Sequence, residues 1–257
     1  FRDAEFFRAV AASAEPKLDS FNAQELANTV WAFAKMGHPT PALFDAVAAA
    51  AVPRLGEFTE QALSNTAWAF AVADPPSASG LFAGPGFVQA VVAAEATLAA
   101  EDLCQLHQWA LWRDERGEAW PPLPPPLAER CRAAFCAEEG RPSKLQREVT
   151  KALAALELQP REEVRTPQGY SLDAVVVVAG REVAVEVDGP SHFARNDASV
   201  ALGQTRLKHR QLRGLGFAVL SVAVADWEFM ESSEEKVEYL REGMAHAAAL
   251  AAEAKRA

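Results

Sequence analysis

The chain has 257 residues, half of them apolar and 23% charged, with a net charge of −10. That is globular composition, and the length allows two modest cores. No apolar run approaches the ~20 residues of a membrane-spanning helix, so a soluble protein without membrane insertion is expected. Three cysteines, Cys104, Cys131 and Cys136, with no C-x-x-C pair argue against a disulfide framework or a tetrahedral zinc site.

Charge is unevenly spread. Residues 1–140 hold 9 basic and 18 acidic residues, whereas 141–257 hold 16 and 17. Phosphate contacts need Lys and Arg, so any nucleic-acid surface is expected in the second part. The chain opens on Phe1 rather than Met, so a targeting peptide is expected upstream of it.

The first elements repeat with a 37-residue period. Phe21, Asn28, Trp31 and Phe33 recur as Phe58, Asn65, Trp68 and Phe70, and the register extends through Phe7/Phe44, Val10/Val47 and Pro16/Pro53. A third, worn copy carries Leu98 and the stretch Gln105–Trp112, its offset widened by an insertion in the Pro75–Pro85 loop. Each unit reads as a helical hairpin. Asn22 with Glu25 forms a capping-box pattern, and Leu26, Val30 and Phe33 follow at helical spacing. Gly37 ends that helix, Thr40-Pro41 supplies an N-cap and an N1 proline, and Pro53 stops the second helix. Two-helix units cannot bury their own apolar stripes, so a stack is expected. Trp31, Trp68 and Trp109 are expected at equivalent buried positions, as packing rather than base-stacking platforms. Gln24/Gln61 and Asn28/Asn65 are read as scaffold hydrogen bonds. The acidity of this part suits a protein partner.

The shared text Leu-x-Asn-Thr-x-Trp-Ala-Phe-Ala resembles the octotricopeptide repeats of organelle proteins and the helical region of the FAST-kinase family. These repeats are assigned to residues 1–118. Residues 119–140, with the run Trp120–Pro126, are expected to form an extended, semi-rigid spacer and a connecting helix near Leu127–Glu138.

From residue 141 the periodicity changes. Helix Leu145–Leu158 precedes a short strand at Glu163–Thr166 and strands at Leu172–Val178 and Glu182–Val187. A basic helix Ala198–Leu215, a buried strand Ala218–Val224 and a final helix Ser233–Ala251 complete the order. The fold class expected is therefore α + α/β: a helical repeat solenoid followed by an αβββαβ unit of restriction-endonuclease-like type.

Those nucleases place an aspartate on one strand and Glu-x-Lys on the next. Asp173 stands at the first position and Glu186-Val187-Asp188 at the second, with Asp188 where the lysine belongs. Residues two apart on a strand share a face, so Asp173, Glu186 and Asp188 are candidates to hold a hard divalent cation. The alternative is that they cap strand ends and pair with cations of helix 198–215.

The wider text is more specific. Tyr170-Ser-Leu-Asp-Ala, Val183–Phe193 (VAVEVDGPSHF), Leu202–Leu212 (LGQTRLKHRQL), Gly216–Ser221 and Asp226-Trp227 together resemble the RAP domain, over about Leu145 to Leu240. The resemblance implies a fold similar to very-short-patch repair endonucleases. It also implies a mitochondrial or chloroplast protein that binds RNA in processing, stability, translation or a ribonucleoprotein such as a ribosome. RNA-binding candidates are Arg195, Arg206, Lys208, Arg210 and Arg213, with no cofactor required. If the site cuts RNA, the catalytic candidates are Asp173, Glu186, Asp188, His192 as base and Lys208 as a migrated lysine, with Mg or Mn.

Overall fold

In a computed structural model of the protein, residues 4–38, 40–137, 142–194 and 197–253 are described. They form two compact units, Phe1–Glu138 with Leu202–Leu207, and Glu139–Ala201 with Lys208–Ala257. The fold class is α plus α/β.

The first unit contains α1 (Ala4–Ala14), α2 (Ala23–Lys35), α3 (Pro41–Ala51), α4 (Glu60–Ala73), α5 (Ser79–Phe82), α6 (Gly86–Ala93), α7 (Ala100–Arg116) and α8 (Pro125–Cys136). The 37-residue repeat becomes geometry in α2 and α4. Asn22 Oδ1 accepts from Glu25 N at 2.9 Å while Glu25 Oε2 accepts from Asn22 N at 2.8 Å, so two orphan donors are satisfied reciprocally. Thr59 Oγ1 accepts from Ala62 N at the start of α4. Gly37 sits at φ +69°, where its lack of a Cβ permits the left-handed turn that closes α2. Thr40 differs from the expectation: its side chain makes no capping bond, and Pro41 alone sets the start of α3.

Helices α2, α4, α7 and α8 pack in succession. Their core is a chain of aromatic rings. Phe44 meets Phe70 at 5.1 Å, Phe70 meets Phe82 at 5.5 Å, and Phe82 meets Trp109 at 5.5 Å. The three repeat tryptophans are not equally buried. Trp109 is 0% exposed and Trp68 6%, but Trp31 is only half-buried, with the Lys35 ammonium 4.4 Å over its ring. Helix α2 is the first of this layer, so its tryptophan is covered from one side only.

The proline stretch is not the spacer expected from its composition. Trp120 and Leu123 are buried in the same core, Trp120 at 5.3 Å from Trp112 and 5.6 Å from Phe82. They lie three residues apart, one turn of a polyproline helix, so both fall on one face. The Arg116 guanidinium covers Trp112 and Trp120 together.

The second unit contains α9 (Lys144–Ala155), β1 (Arg161–Arg165), β2 (Ser171–Val178), β3 (Arg181–Asp188), β4 (Phe193–Ala194), β5 (Asp197–Ala201), α10 (Gly203–Gly214) from Lys208 onward, its earlier residues belonging to the first unit, β6 (Ala218–Ala223), α11 (Val224–Phe229) and α12 (Ser233–Glu253). The main sheet has the order β1-β2-β3-β6, antiparallel except for the parallel β3–β6 pair. Val149 and Leu153 of α9 and Leu240 and Met244 of α12 cluster with Ala174, Val176, Val183, Val185, Leu220 and Val222. Strand alternation fixes this as one face of the sheet.

The segment read as the start of the basic helix instead pairs as the β4–β5 hairpin, and α10 begins only at Gly203. A Cβ at Gly203 would lie 2.2 Å from the Ala34 carbonyl oxygen, so the helix starts at the one residue that admits this approach. Helical periodicity in the sequence carries no trace of that constraint.

Candidate functional site

The same alternation that sends Val183 and Val185 to one face sends Glu186 to the other. In the antiparallel β2–β3 register Ala174 faces Val185, and the pairing ends there. One step further, Asp173 Oδ2 accepts from Val187 N at 2.7 Å, a carboxylate replacing the next ladder carbonyl. Its other oxygen accepts from the Gln146 amide. On the parallel side Glu186 pairs in register with Ser221. Asp173, Glu186 and Ser221 thus form a row across three strands, with Asp188 two residues along β3.

Glu186 is 3% exposed, and its Oε2 accepts from Lys208 Nζ of α10 at 2.5 Å. Its Oε1 is buried without a hydrogen-bond partner among the described residues. Burial pushes the Glu186 carboxyl up to about 7. Lys208 opposes that rise, and the neighbouring Asp173 and Asp188 reinforce it.

Asp188 takes the opposite course. Its Oδ1 lies 2.9 Å from His192 Nδ1, and its Oδ2 accepts from the Ser221 hydroxyl and lies 3.5 Å from His209 Nε2. Burial raises this carboxyl, but the bonds from His192, His209 and Ser221 outweigh it and hold it well below the carboxylate range. The bond to Asp188 in turn raises the half-exposed His192 above an ordinary imidazole, against partial burial.

The catalytic candidates Asp173, Glu186, Asp188, His192 and Lys208 therefore lie around one end of the sheet. As a metal set, Asp173, Glu186 and Asp188 do not fit. Among the described residues no group of three His, Cys, Asp or Glu side chains is placed to hold an ion. The physical reason is that Asp173 is spent on Val187 and Gln146, Asp188 on His192, His209 and Ser221, and the Lys208 ammonium stands on Glu186.

The RNA-binding candidates are dispersed. Arg195 lies outside the described residues. Arg206 is exposed but donates to the Gly37 carbonyl at 3.1 Å, and Lys208 is the counter-ion of Glu186. Arg210 is half-buried, and Arg213 lines a cavity beside the N-terminal end of β6, away from the carboxylates.

Sequence reasoning missed Ser221, His209 and Gln146. Ser221 had a signal, being the lone polar residue of an otherwise apolar strand. Gln211 was also missed; it is 2% exposed and accepts from the buried Tyr170 hydroxyl.

Part of this site lies in a stretch that is similar to known proteins. Residues 185–242 match the RAP domain family. A chloroplastic RAP domain-containing protein of Oryza sativa subsp. japonica is 38% identical over 99 residues, which are 38% of this chain and 15% of the rice protein. The matched stretch thus spans about 15% of that relative's length. The family match covers Glu186, Asp188, His192, Lys208, His209 and Ser221, whereas Gln146 and Asp173 lie before it. Among the described residues no helix is long and apolar enough to cross a membrane.

Proposed function

We propose that this is an RNA-binding organelle protein that grips RNA through its RAP domain and does not cut it. Its work would be in RNA processing, stability or translation, or as a subunit of an organelle ribonucleoprotein such as a ribosome. The observation that carries the reading is α10. This helix holds Arg206, Lys208, Arg210 and Arg213 with no acidic residue, inside the stretch that matches the RAP domain family. A helix of that composition in an otherwise acidic chain is an electrostatic footprint for phosphate.

Binding without cleavage is supported by how the nuclease positions are occupied. A general lysine for phosphoryl transfer must offer its charge to the reacting phosphate, whereas Lys208 is committed to Glu186. No cofactor is required for binding. The chloroplastic name of the rice relative favours the chloroplast over the mitochondrion. The acidic first unit, with twice as many acids as bases over 1–140, is the surface for a protein partner.

The test measures affinity of the full chain for labelled single-stranded RNA against salt concentration. Changing Arg206 and Arg210 to Gln should weaken binding across sequences and flatten the salt slope by about 1 per lost phosphate contact. An unchanged dissociation constant would sink the placement. Incubation with Mg²⁺ or Mn²⁺ tests the other half. Cleavage by the wild type that Asp173→Ala, Glu186→Ala protein lacks would replace this reading with a nuclease.

A further inference from the structure

Opposite the carboxylates, the second unit carries a cavity. The N-terminal ends of β3 and β6, the turn at 214–217 and the last turns of α12 frame about 590 Å³. That lies within the ~300–1,000 Å³ of small-molecule sites. Its walls are aliphatic: Val219, Ala247 and Ala251 line it, with Leu215 and Leu250 at 37% and 52% exposure. Isolated exposed leucines are ordinary, but two on one concavity form a continuous apolar lining.

Two guanidiniums enter this apolar setting, and among the described residues no carboxylate pairs with either. Arg181 donates to the Ala251 carbonyl at 3.3 Å. Arg213 makes no hydrogen bond or ion pair among the described residues, and partial burial lowers its pKa. Glu182, beside Arg181 in sequence, is taken by Arg161. Arg213 is exposed at the cavity mouth, where its guanidinium is open to a bound anion.

We infer that this cavity binds a small anionic amphiphile, a carboxylate or phosphate on an unbranched hydrocarbon chain, its head at Arg181 and Arg213 and its chain along Leu215 and Leu250. A nucleotide suits the lining less well. Phe217 is the one aromatic ring in it, whereas bases are held by stacking on aromatic faces. Arg206 and Arg210, the arginines changed in the RNA-binding test, do not line this cavity.

The experiment titrates the full chain with decanoate, decyl phosphate and decanol, all below their aggregation limits, and reads binding by calorimetry. Decanoate and decyl phosphate should bind at one site, with decanol at least about tenfold weaker, the worth of one charge-assisted contact. The ratio of decanoate to decyl phosphate affinity identifies which head the site prefers. Arg213→Gln should bring decanoate down to the decanol level. Ala247→Trp, which fills the cavity from α12, should abolish binding of both, with circular dichroism confirming that each variant is folded. Decanol binding as tightly as decanoate, or Arg213→Gln without effect, would overturn the proposal. So would displacement of decanoate by RNA, which would hand the cavity to the nucleic acid.

Discussion

In the first unit the buried carboxylate of Asp102 accepts from the Ser64 hydroxyl at 2.6 Å and from Ala99 N at 2.9 Å, serving as the cap of α7. In the second unit the buried carboxylate of Glu186 meets an ammonium, and that of Asp188 meets two imidazoles. One unit uses its buried polar groups to finish helices; the other sets ionisable groups against each other at one end of a sheet. Capping completes the hydrogen bonding of a helix end and adds to its stability. Coupled ionisable groups make stability pH-dependent and leave a constellation able to change charge. Among the described residues, the buried carboxylates that face ionisable groups are thus gathered in the second unit.

The largest expected effect tests the scaffold. Trp109→Ala should cost about 3–5 kcal/mol in denaturant unfolding, because a fully buried ring leaves a cavity. Trp31→Ala, at the half-buried end of the layer, should cost about half as much or less. Equal costs would mean that the layer has no open end at α2.

Next comes the ion pair. Lys208→Met leaves Glu186 buried without its cation and should destabilise by about 3 kcal/mol at pH 8. The loss should shrink towards pH 5, where Glu186 holds its proton. The wild type carries a weaker form of the same dependence. A carboxyl raised from 4.5 to about 7 by folding binds more protons folded than unfolded, so its contribution falls as pH rises from about 4.5 through about 7. Glu186→Gln should remove that decline. A flat difference between wild type and Glu186→Gln over this window would contradict the burial of Glu186.

Asp188 has the opposite sign. Its folded pKa is depressed, so its stabilisation is present above the unfolded value near 3.8 and is lost as pH falls below it. His192, raised by that carboxylate, stabilises below its unfolded pKa and loses this as pH rises through its folded one. Proton NMR titration of Asp188→Asn should show the His192 midpoint falling back towards an ordinary imidazole. An unmoved midpoint would place His192 elsewhere.

The smallest effects compare two caps. Asn22→Ala should cost about 1 kcal/mol, for it breaks a reciprocal capping box. Thr40→Ala should cost a few tenths at most, since Thr40 caps nothing through its side chain. Their order in thermal unfolding decides whether the repeat's two helix starts are equivalent.

Much was legible because it is local. The 37-residue offset, the Asn22–Glu25 box, the stop at Gly37 and the strand alternation around Val183–Asp188 depend on residues within one turn or one strand. A sequence prints such relations directly. The RAP text located the second unit in the same way, as a run of near neighbours.

What only the tertiary structure decided depends on residues far apart in the chain. Composition made 119–126 a spacer, but Trp120 met Trp112 and Phe82 and became core. Periodicity ran α10 back to Ala198, but the approach to Ala34 fixed its start at Gly203. The carboxylates Asp173, Glu186 and Asp188 were visible as types and spacings. Their partners Gln146, Lys208, His209 and Ser221 come from three other elements, and those partners decide which carboxyl is raised, which is depressed and whether a metal has room. A side chain's charge state follows from burial and from the groups folding brings to it, and neither is written in the order of residues along one strand.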